Sequence, residues 1–285
     1  MAYVHLWRLY DYVDKFIIVV SNITYTGQPR NITFKLFEKE IKQYMDKIDI
    51  VYFDNKCNRK DYPYENKIWC IENCQRDYAK YYIEEKYNPT EKDLFIVADL
   101  DEILTREGIQ YIKNNPPNDF KIIYGAMYYP YYYHRVEEWN RSFVVRYKKT
   151  MNTFSNYRNI GSNENNTITY ENNPSEPLIT HCSYCFKNME QYRNKFLSFA
   201  HTEYRREPYT TFNWIFKSHY CRKKVFQPNE GYDEPYKGWR HLIPDDERLK
   251  FLFDRSYMYN ISQTDYTLKD LETLCNRTFI RTPFE

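Results

Sequence analysis

The stretch 93–103 constrains the fold most, because it joins a strand to a group of acids. It reads DLFIVADLDEI, and its compact apolar run is typical of a strand buried on both faces of a parallel sheet. Three carboxylates follow where that strand should end, namely Asp99, Asp101 and Glu102. In open α/β sheets, ligands bind beyond the carboxyl ends of the strands. The sequence therefore predicts an α/β fold with a functional site at this strand end.

The spacing of these acids indicates a metal site. On an extended backbone residues i and i+2 face the same side, so Asp99 and Asp101 can converge on one cation while Glu102 points elsewhere. Mg²⁺ or Mn²⁺ takes oxygen ligands, typically one or two carboxylates together with phosphate oxygens of a substrate. We therefore predict a metal–diphosphate site. The alternative is a solvated acidic turn after a core strand.

The composition excludes some classes of protein. The 285 residues suffice for one large domain or two small ones. Lys plus Arg is 41 and Asp plus Glu is 39, with no long basic block, so we expect no nucleic-acid partner. Glycine is scarce at 6, which argues against a glycine-rich phosphate loop. The 32 tyrosines suit sugar and nucleotide rings, although a compositional bias that also enriches Asn, Lys and Ile explains part of their number.

The sequence also carries expectations about the cellular compartment. We find no signal-peptide pattern and no apolar run of about 18 residues, so we expect a cytoplasmic or otherwise soluble protein without a transmembrane segment. The seven cysteines are odd in number, which argues against a complete disulfide framework and favours a reducing compartment. Cys182 and Cys185 form a lone Cys-x-x-Cys, which is weak evidence for zinc because a structural site needs four ligands. The composition would suit an AT-rich microbe or a large DNA virus.

Hydrophobic periodicity divides the chain into strands and helices. Strands are predicted over 12–21, 48–53, 94–98, 120–124 and 143–149, and helices over 34–45, 64–87, 105–114, 209–218 and 245–255. Three strand–helix units in succession predict a parallel sheet with right-handed crossovers. We expect a loop over 152–177. We interpret 1–255 as a single domain, with a donor-binding half over about 1–115, an acceptor-side half over about 116–255, and a packed tail over 256–285.

Further stretches offer polar or aromatic side chains to a ligand. The loop 21–30, SNITYTGQPR, directly follows the first strand and suits a base or ribose; the alternative is an ordinary strand–helix connection. Glu72, Gln75 and Arg76 form a patch at i, i+3 and i+4 of a helix, and a solvated helix face is the alternative. The aromatic stretch 127–134 suits a sugar platform or core packing equally well.

Several of these stretches, taken in order, resemble glycosyltransferase family 17, the family of the bisecting N-acetylglucosaminyltransferases. The resemblance covers about residues 9–255. The motifs that carry it are LYDYVDKF at 9–16 with SN at 21–22 and TYTGQPR at 24–30, ENCQR at 72–76, DLFIVADLDEI at 93–103, HCSYCF at 181–186 and KFLSFAHTE at 195–203.

The resemblance implies a GT-A type, Rossmann-like fold with a mostly parallel central sheet. It also implies a UDP-sugar donor, UDP-N-acetylglucosamine in the typical members, a glycan or glycoprotein acceptor, Mn²⁺ or Mg²⁺, and inversion at the anomeric carbon. It makes Asp99 and Asp101 the metal-binding pair, and it assigns donor contacts to Ser21, Asn22, Thr26, Gly27, Gln75, Arg76 and Asp99. The chain departs from the family at Val20, where an acid is expected, and at Ile179-Thr180, where Gly-Trp is usual.

The expected mechanism is a single displacement. Glu203 is the candidate base that takes the proton of the acceptor hydroxyl, and His201 is expected to orient it or to touch the metal or diphosphate. A charge interaction at the start of a helix is the alternative role for this pair.

Two other functions compete with the transferase. The first is a haloacid-dehalogenase-like phosphatase with Asp99 as nucleophile, Asp101 as acid/base and Asp245-Asp246 as a later acidic pair. The second is a non-catalytic carbohydrate-binding protein that uses the aromatic side chains of 128–134.

Overall fold

The computed structural model describes residues 2–31, 38–54, 56–57, 67–129, 134–174, 176–183, 189–212 and 214–215. The helices are α1 (Ala2–Leu9), α2 (Glu38–Ile41), α3 (Lys67–Tyr87), α4 (Arg106–Asn114), α5 (Phe154–Arg158) and α6 (Met189–Ser198). The strands are β1 (Phe16–Val20), β2 (Ile48–Tyr52), β3 (Leu94–Val97), β4 (Glu102–Leu104), β5 (Phe120–Ile123), β6 (Gly125–Tyr129), β7 (His134–Glu138), β8 (Phe143–Arg146), β9 (Thr167–Ile168) and β10 (Ile179–His181). Short 3-10 helices cover Lys42–Lys47 and Thr202–Tyr204.

The first two strands form the predicted parallel pair. β1 and β2 run side by side, with Phe16 opposite Ile48 and Val20 opposite Tyr52. The run FIIVV is rich in β-branched residues, which favour a pleated backbone. After β2 the chain returns through α3, which packs on β1. This part of the molecule therefore confirms the predicted strands and the long helix, as far as the described residues reach.

The strand that precedes the acids does not join this parallel pair. β3 pairs antiparallel with β8, with Leu94 opposite Arg146, in a four-stranded sheet of order β3-β8-β5-β9. Its side chains are only partly buried, whereas Phe143, Val144 and Val145 of β8 are completely buried. The prediction of one parallel sheet with β3 buried on both faces is therefore wrong. The fold is mixed α/β, with parallel and antiparallel pairs in several sheets.

A third sheet carries the acidic turn on its edge strand. Its order is β4-β10-β6-β7; β10 pairs antiparallel with β4 and parallel with β6. Gly125 lets β10 approach closely, because a Cβ there would meet Ile179 Cγ2 and the Trp139 carbonyl oxygen at 2.4 Å each. α4 packs nearby, and Thr105 caps it by accepting a hydrogen bond from the Gly108 N–H at 2.8 Å. The predicted helix over 105–114 is confirmed.

The segment predicted as a loop over 152–177 contains a helix that the periodicity did not show. α5 begins after Thr153, whose hydroxyl accepts from the Asn156 N–H. Phe154 and Tyr157, at i and i+3 of this helix, pack with Phe143 and Val145 in an aromatic core. A five-residue helix is too short to produce a periodic signal, so only its cap and this aromatic pair mark it in the sequence.

The chain divides into two compact units. The first comprises Met1–Met127 and Glu137–Ser183, and the second comprises Tyr128–Val136 and Tyr184–Glu285. The aromatic side chains of 128–134, the helix expected over 245–255 and the tail over 256–285 lie outside the described residues. The interpretation of 1–255 as a single domain stays a prediction. Among the described residues, none of the helices is long and apolar enough to cross a membrane.

The cysteines depart from the expectation of reduced thiols. Cys57, after β2, forms a disulfide with Cys74 of α3, and Cys182 is also in a disulfide. The Sγ of Cys70, one helical turn before Cys74, lies 2.7 Å from the Sγ of Cys57. The disulfide therefore ties the chain after β2 to α3. A disulfide-bonded Cys182 also removes the ground for zinc at Cys182 and Cys185.

Candidate functional site

The three acids lie on a tight turn between β3 and β4. The Glu102 N–H donates to the Asp99 carbonyl oxygen at 2.9 Å, which closes a four-residue turn over 99–102. The backbone is therefore not extended here, and the argument that alternation places Asp99 and Asp101 on one side is wrong. The two side chains have different partners.

Glu102 is the buried centre of the turn. Its side chain is completely buried, and its Oε2 accepts from the Asp99 N–H at 2.8 Å and from the Ser142 hydroxyl at 2.6 Å. Its Oε1 accepts from Trp139 Nε1 at 2.6 Å. Arg158 donates to both oxygens, at 2.6 and 2.8 Å. Burial alone raises the pKa of Glu102, but the charge and hydrogen bonds of Arg158 outweigh burial and lower it. Glu102 organises the turn from inside.

Asp99 lies between two arginines. Arg158 donates to its Oδ2 at 2.6 Å, and Arg76 of α3 donates to its Oδ1 at 3.2 Å. Arg76 also pairs with Glu72 at 3.2 Å. Both guanidinium side chains are about one-tenth exposed, whereas the Asp99 side chain is 42% exposed. The predicted residues Asp99 and Arg76 are therefore brought together, with an ion-paired network beneath them.

Asp101 faces an imidazole instead. Its Oδ2 lies 3.4 Å from Nε2 of His181, a residue at the end of β10 with only 5% of its side chain exposed. The His181 ring packs against Trp139 at a tilt of 30°, with centroids 4.0 Å apart. Its Nδ1 is buried and has no hydrogen-bond partner among the described residues. On the other side, His5 of α1 bonds the Leu100 backbone, and burial lowers the pKa of His5 to about 4. Two histidines thus flank this part of the turn, and burial keeps His5 neutral.

The residues around Asp101 fit a divalent cation. A separation of 3.4 Å is long for a hydrogen bond, yet it is close to the roughly 3 Å between neighbouring ligands of an octahedral ion with bonds of about 2.1 Å. A carboxylate and a buried imidazole form a mixed donor set. Imidazole nitrogen is a ligand for transition metals rather than for Mg²⁺, so this pair suits a transition-metal ion better than Mg²⁺. Phosphate oxygens of a substrate would complete the coordination.

The loop after β1 is closed by its own hydrogen bonds. The Thr24 N–H donates to the Gln28 carbonyl oxygen at 2.8 Å. The Thr24 hydroxyl accepts from the Gln28 N–H at 3.0 Å and contacts the Thr26 hydroxyl at 3.0 Å. Arg30 donates twice to the Ser21 carbonyl oxygen, at 2.9 and 3.1 Å. Gly27 has a φ of +85°, which only glycine adopts without strain. Asn22 is exposed beside it. The loop therefore has a defined conformation, held by its own hydrogen bonds.

Tyr25 of this loop lies close enough to α3 and to the acidic turn for their charges to act on it. Burial raises the pKa of the Tyr25 phenol, and the negative charges of Glu72 and Asp99 raise it further. Gln75 of α3 donates to the Val19 carbonyl oxygen at 3.2 Å, which fixes α3 against the end of β1. Burial, helped by the charge of Asp99, raises the pKa of Glu72 in spite of Arg76. Three separate sequence motifs therefore converge on one cluster.

His201 and Glu203 lie in the second compact unit. The His201 Nδ1 lies 2.7 Å from Glu203 Oε1, and both side chains are about half exposed. Burial raises the pKa of Glu203, but the hydrogen bond to His201 and a backbone hydrogen bond together outweigh burial, and the net pKa is lowered. Aromatic rings surround the pair, with Phe199 and Tyr204 both within 6 Å of the His201 ring. The expected contact between the two residues is present.

Sequence reasoning missed several residues of the cluster. Arg158 lies in a segment predicted as a loop, and no sequence motif includes Trp139. His181 was noted only within its motif and Tyr25 only within its loop. The signal for Arg158 was slight, consisting of the helix cap at Thr153, at the start of the short helix that Arg158 ends. The pairing of a distant arginine with a strand-end carboxylate has no local signature.

Comparison with known proteins gives one match. The family model described as glycosyltransferase family 17 matches residues 1–226, which is more than three quarters of the 285-residue chain and includes both the acidic turn and the His201–Glu203 pair. No curated protein matches the chain, and no solved structure matches it.

Proposed function

Because the chain belongs to glycosyltransferase family 17 and is therefore a glycosyltransferase, we propose that it moves N-acetylglucosamine from a UDP-sugar donor to a hydroxyl group of a glycan or glycoprotein, with Mn²⁺ and with inversion of the anomeric carbon. We further propose that its mixed sheets are a variant of the GT-A architecture, in which β1, β2 and α3 form the nucleotide-binding part. The donor sugar, the metal and the stereochemistry are parts of this proposal.

The observation that carries the proposal is the convergence on Asp99. The loop over 21–30, the patch on α3 and the acidic turn come from three distant parts of the chain, and Tyr25, Arg76 and Asp99 bring them together. A donor nucleotide offers a base, a ribose and a diphosphate, and these need a shaped loop, hydrogen-bonding side chains and positive charge. The loop residues Ser21 to Gly27 are the proposed contacts of base and ribose, with Gln75 and Arg76 beside them.

The leaving group is the diphosphate, and the residues of the turn are suited to it. Asp101 and His181 are the proposed metal ligands. A Mn²⁺ ion bound there would supply positive charge against the negative charge that develops on the leaving oxygen. Arg76, held by Glu72 and Asp99, presents a further fixed cation to the same region. Fixed charges stabilise a developing charge without reorganising during the reaction.

Glu203 is the proposed general base. Its carboxylate is ionised at neutral pH, as a base must be, and its contact with His201 fixes the side chain. His201 is the proposed orienting residue. Inversion follows if this carboxylate takes the acceptor proton while the hydroxyl attacks the face opposite the diphosphate.

A donor screen by thermal unfolding tests the proposal. Wild type and Asp101→Ala are each heated with UDP, GDP and their common sugars, with and without Mn²⁺. Ligand that binds only the native state raises the melting temperature, by an amount that reports its affinity. We expect Mn²⁺-dependent stabilisation by UDP and one UDP-sugar, and its loss in Asp101→Ala. Stabilisation by GDP alone would contradict the donor assignment, and no shift with any nucleotide would contradict the whole proposal.

A further inference from the structure

Arg158 is unusual among the charged residues of the cluster because it serves two acids at once. Its Nη1 and Nη2 both donate to the completely buried Glu102, and its Nη2 also donates to Asp99 at 2.6 Å. A guanidinium in bidentate contact with a carboxylate is strongly fixed in orientation. The Arg158–Asp99 contact is therefore held in place by the buried half of the same side chain.

Both carboxylate oxygens of Asp99 therefore accept hydrogen bonds from arginine side chains. Oδ2 accepts from Arg158 and Oδ1 accepts from Arg76. A carboxylate between two guanidinium groups is a poor ligand for a divalent cation, because both guanidinium groups repel the cation. Asp101 faces the ring of His181 instead. The two acids of the Asp-x-Asp pair therefore lie in unlike electrostatic surroundings.

The helix that carries Arg158 is itself fixed by a buried acid. Asp77 of α3, only 1% exposed, accepts from the Ser155 N–H at 2.7 Å and from the Ser155 hydroxyl at 2.6 Å. Phe154 and Tyr157 pack into the aromatic core on the same short helix. Burying a carboxylate is costly unless it is hydrogen-bonded, so a buried Asp77 whose bonds serve α5 indicates that the position of this helix matters.

We propose that Arg158 is a positioning residue of the metal site: it keeps Asp99 as an internal counter-ion, so that the cation is bound through Asp101 and His181. This inference rests on the metal-dependent function proposed above. Asp99 then serves the donor side of the site, where it holds Arg76, and Asp101 serves the metal. Asp77 acts one step further away, through Ser155 and the placement of α5.

The test uses the binding of Mn²⁺ alone, measured from the electron paramagnetic resonance signal of the unbound ion. In the double variant Arg158→Gln with Glu102→Gln, both charges of the buried pair are removed together, so the local net charge is unchanged. We expect Mn²⁺ to bind on the order of fivefold more tightly, because Asp99 is released to become an additional ligand. A purely structural role for Arg158 predicts unchanged or weaker binding. Ile109→Val, a small change in the buried core on α4, is the control for lost stability.

Substitutions of the two acids themselves complete the test. In the wild-type background, Asp99→Asn should change the affinity for Mn²⁺ by less than threefold, whereas Asp101→Asn should weaken it more than tenfold. In the double-variant background, Asp99→Asn should remove the gain. If the double variant does not fold, the two single Asn variants decide, and equal losses in both would overturn the inference. If wild type binds no Mn²⁺ at all, the proposed metal dependence fails; if it binds and the double variant binds no more tightly, only the role of Arg158 fails.

Discussion

At the scale of single residues, the most consequential side chain is Glu102. It was expected to point away from the metal site, and its side chain does point into the protein interior. There it accepts hydrogen bonds from Trp139, Ser142 and Arg158, which hold the turn in place. An acid that follows Asp-x-Asp in sequence therefore has a role of its own. It fixes the geometry in which its two neighbours act.

Replacing this acid by its amide should cost much of the stability of the fold. Glu102→Gln leaves the buried guanidinium of Arg158 with only Asp99 as an ionic partner, and breaking a buried pair typically costs about 3 kcal/mol or more. Urea unfolding at pH 7 measures the loss. Glu107→Gln, an exposed acid on α4, is the matched control and should change the free energy of unfolding by less than about 0.5 kcal/mol. A loss below about 1 kcal/mol in Glu102→Gln would contradict the central place given to this residue.

The proposed base allows an equally direct prediction. Glu203→Gln keeps the shape of the side chain and its hydrogen bond but removes the proton acceptor. We expect kcat to fall by about 10²- to 10⁴-fold while UDP-sugar raises the melting temperature as in wild type. His201→Ala should cost less, since it removes only the orienting contact. Near-normal turnover in Glu203→Gln would exclude it as the base.

At the scale of elements, most strands and helices could be predicted but their pairing could not. β3 was found from its apolar run, yet nothing in that run says that Phe143–Arg146 would be its antiparallel partner. A strand that is half covered by aromatic side chains reads like one that is buried on both faces. α5 was missed because five residues make little more than one helical turn. Partners far apart in sequence are chosen by packing, which local patterns do not record.

The disulfide that links the chain after β2 to α3 has an alternative pairing within reach. Cys57 lies within reach of two helix cysteines, Cys74 at a separation of 17 residues and Cys70 at 13. Cys57→Ser removes every such link and should cost about 3 kcal/mol, the usual value for a loop of this length. In Cys74→Ser we expect Cys70 to pair with Cys57, so that the loss stays within about 1 kcal/mol.

Alkylation of the unfolded protein under oxidising conditions distinguishes these outcomes by mass. Cys74→Ser should retain a disulfide between peptides that contain Cys57 and Cys70, whereas Cys57→Ser should have both helix cysteines alkylated. Equal losses of stability in the two variants, with both remaining cysteines alkylated in Cys74→Ser, would contradict the alternative pairing. Ordinary unfolding curves on the same samples supply the stabilities.

At the scale of the whole molecule, the candidate site could be predicted in outline and not in its connections. The acids, the loop after β1 and the α3 patch were each visible as local sequence features, and they do meet. What joins them are Arg158, Tyr25, Trp139 and His181, which are scattered over more than 150 residues. Each is an ordinary residue in its own segment. Their function arises only from the fold, because ion pairs and ring stacking between distant segments leave no spacing to read.

The acid stability of the protein gives a last prediction, centred on Asp49 of β2. Its Oδ2 accepts from Lys86 at 2.8 Å and Tyr82 at 2.9 Å, and also from the Tyr87 hydroxyl. Burial raises the pKa of Asp49, but these hydrogen bonds outweigh burial and lower it to about 2 from the usual 3.8. Its contribution to stability is therefore complete above about pH 4 and is lost as the pH falls through about 2. Since Lys86 is about half exposed, solvent screens its ion pair with Asp49, and we expect Asp49 to contribute about 1 kcal/mol to the free energy of unfolding. Relative to wild type, Asp49→Asn should lose that amount of stability at pH 6 and none at pH 1.5. Urea unfolding at both pH values measures the loss. An equal loss at both would show that the shape of the side chain rather than its charge is responsible.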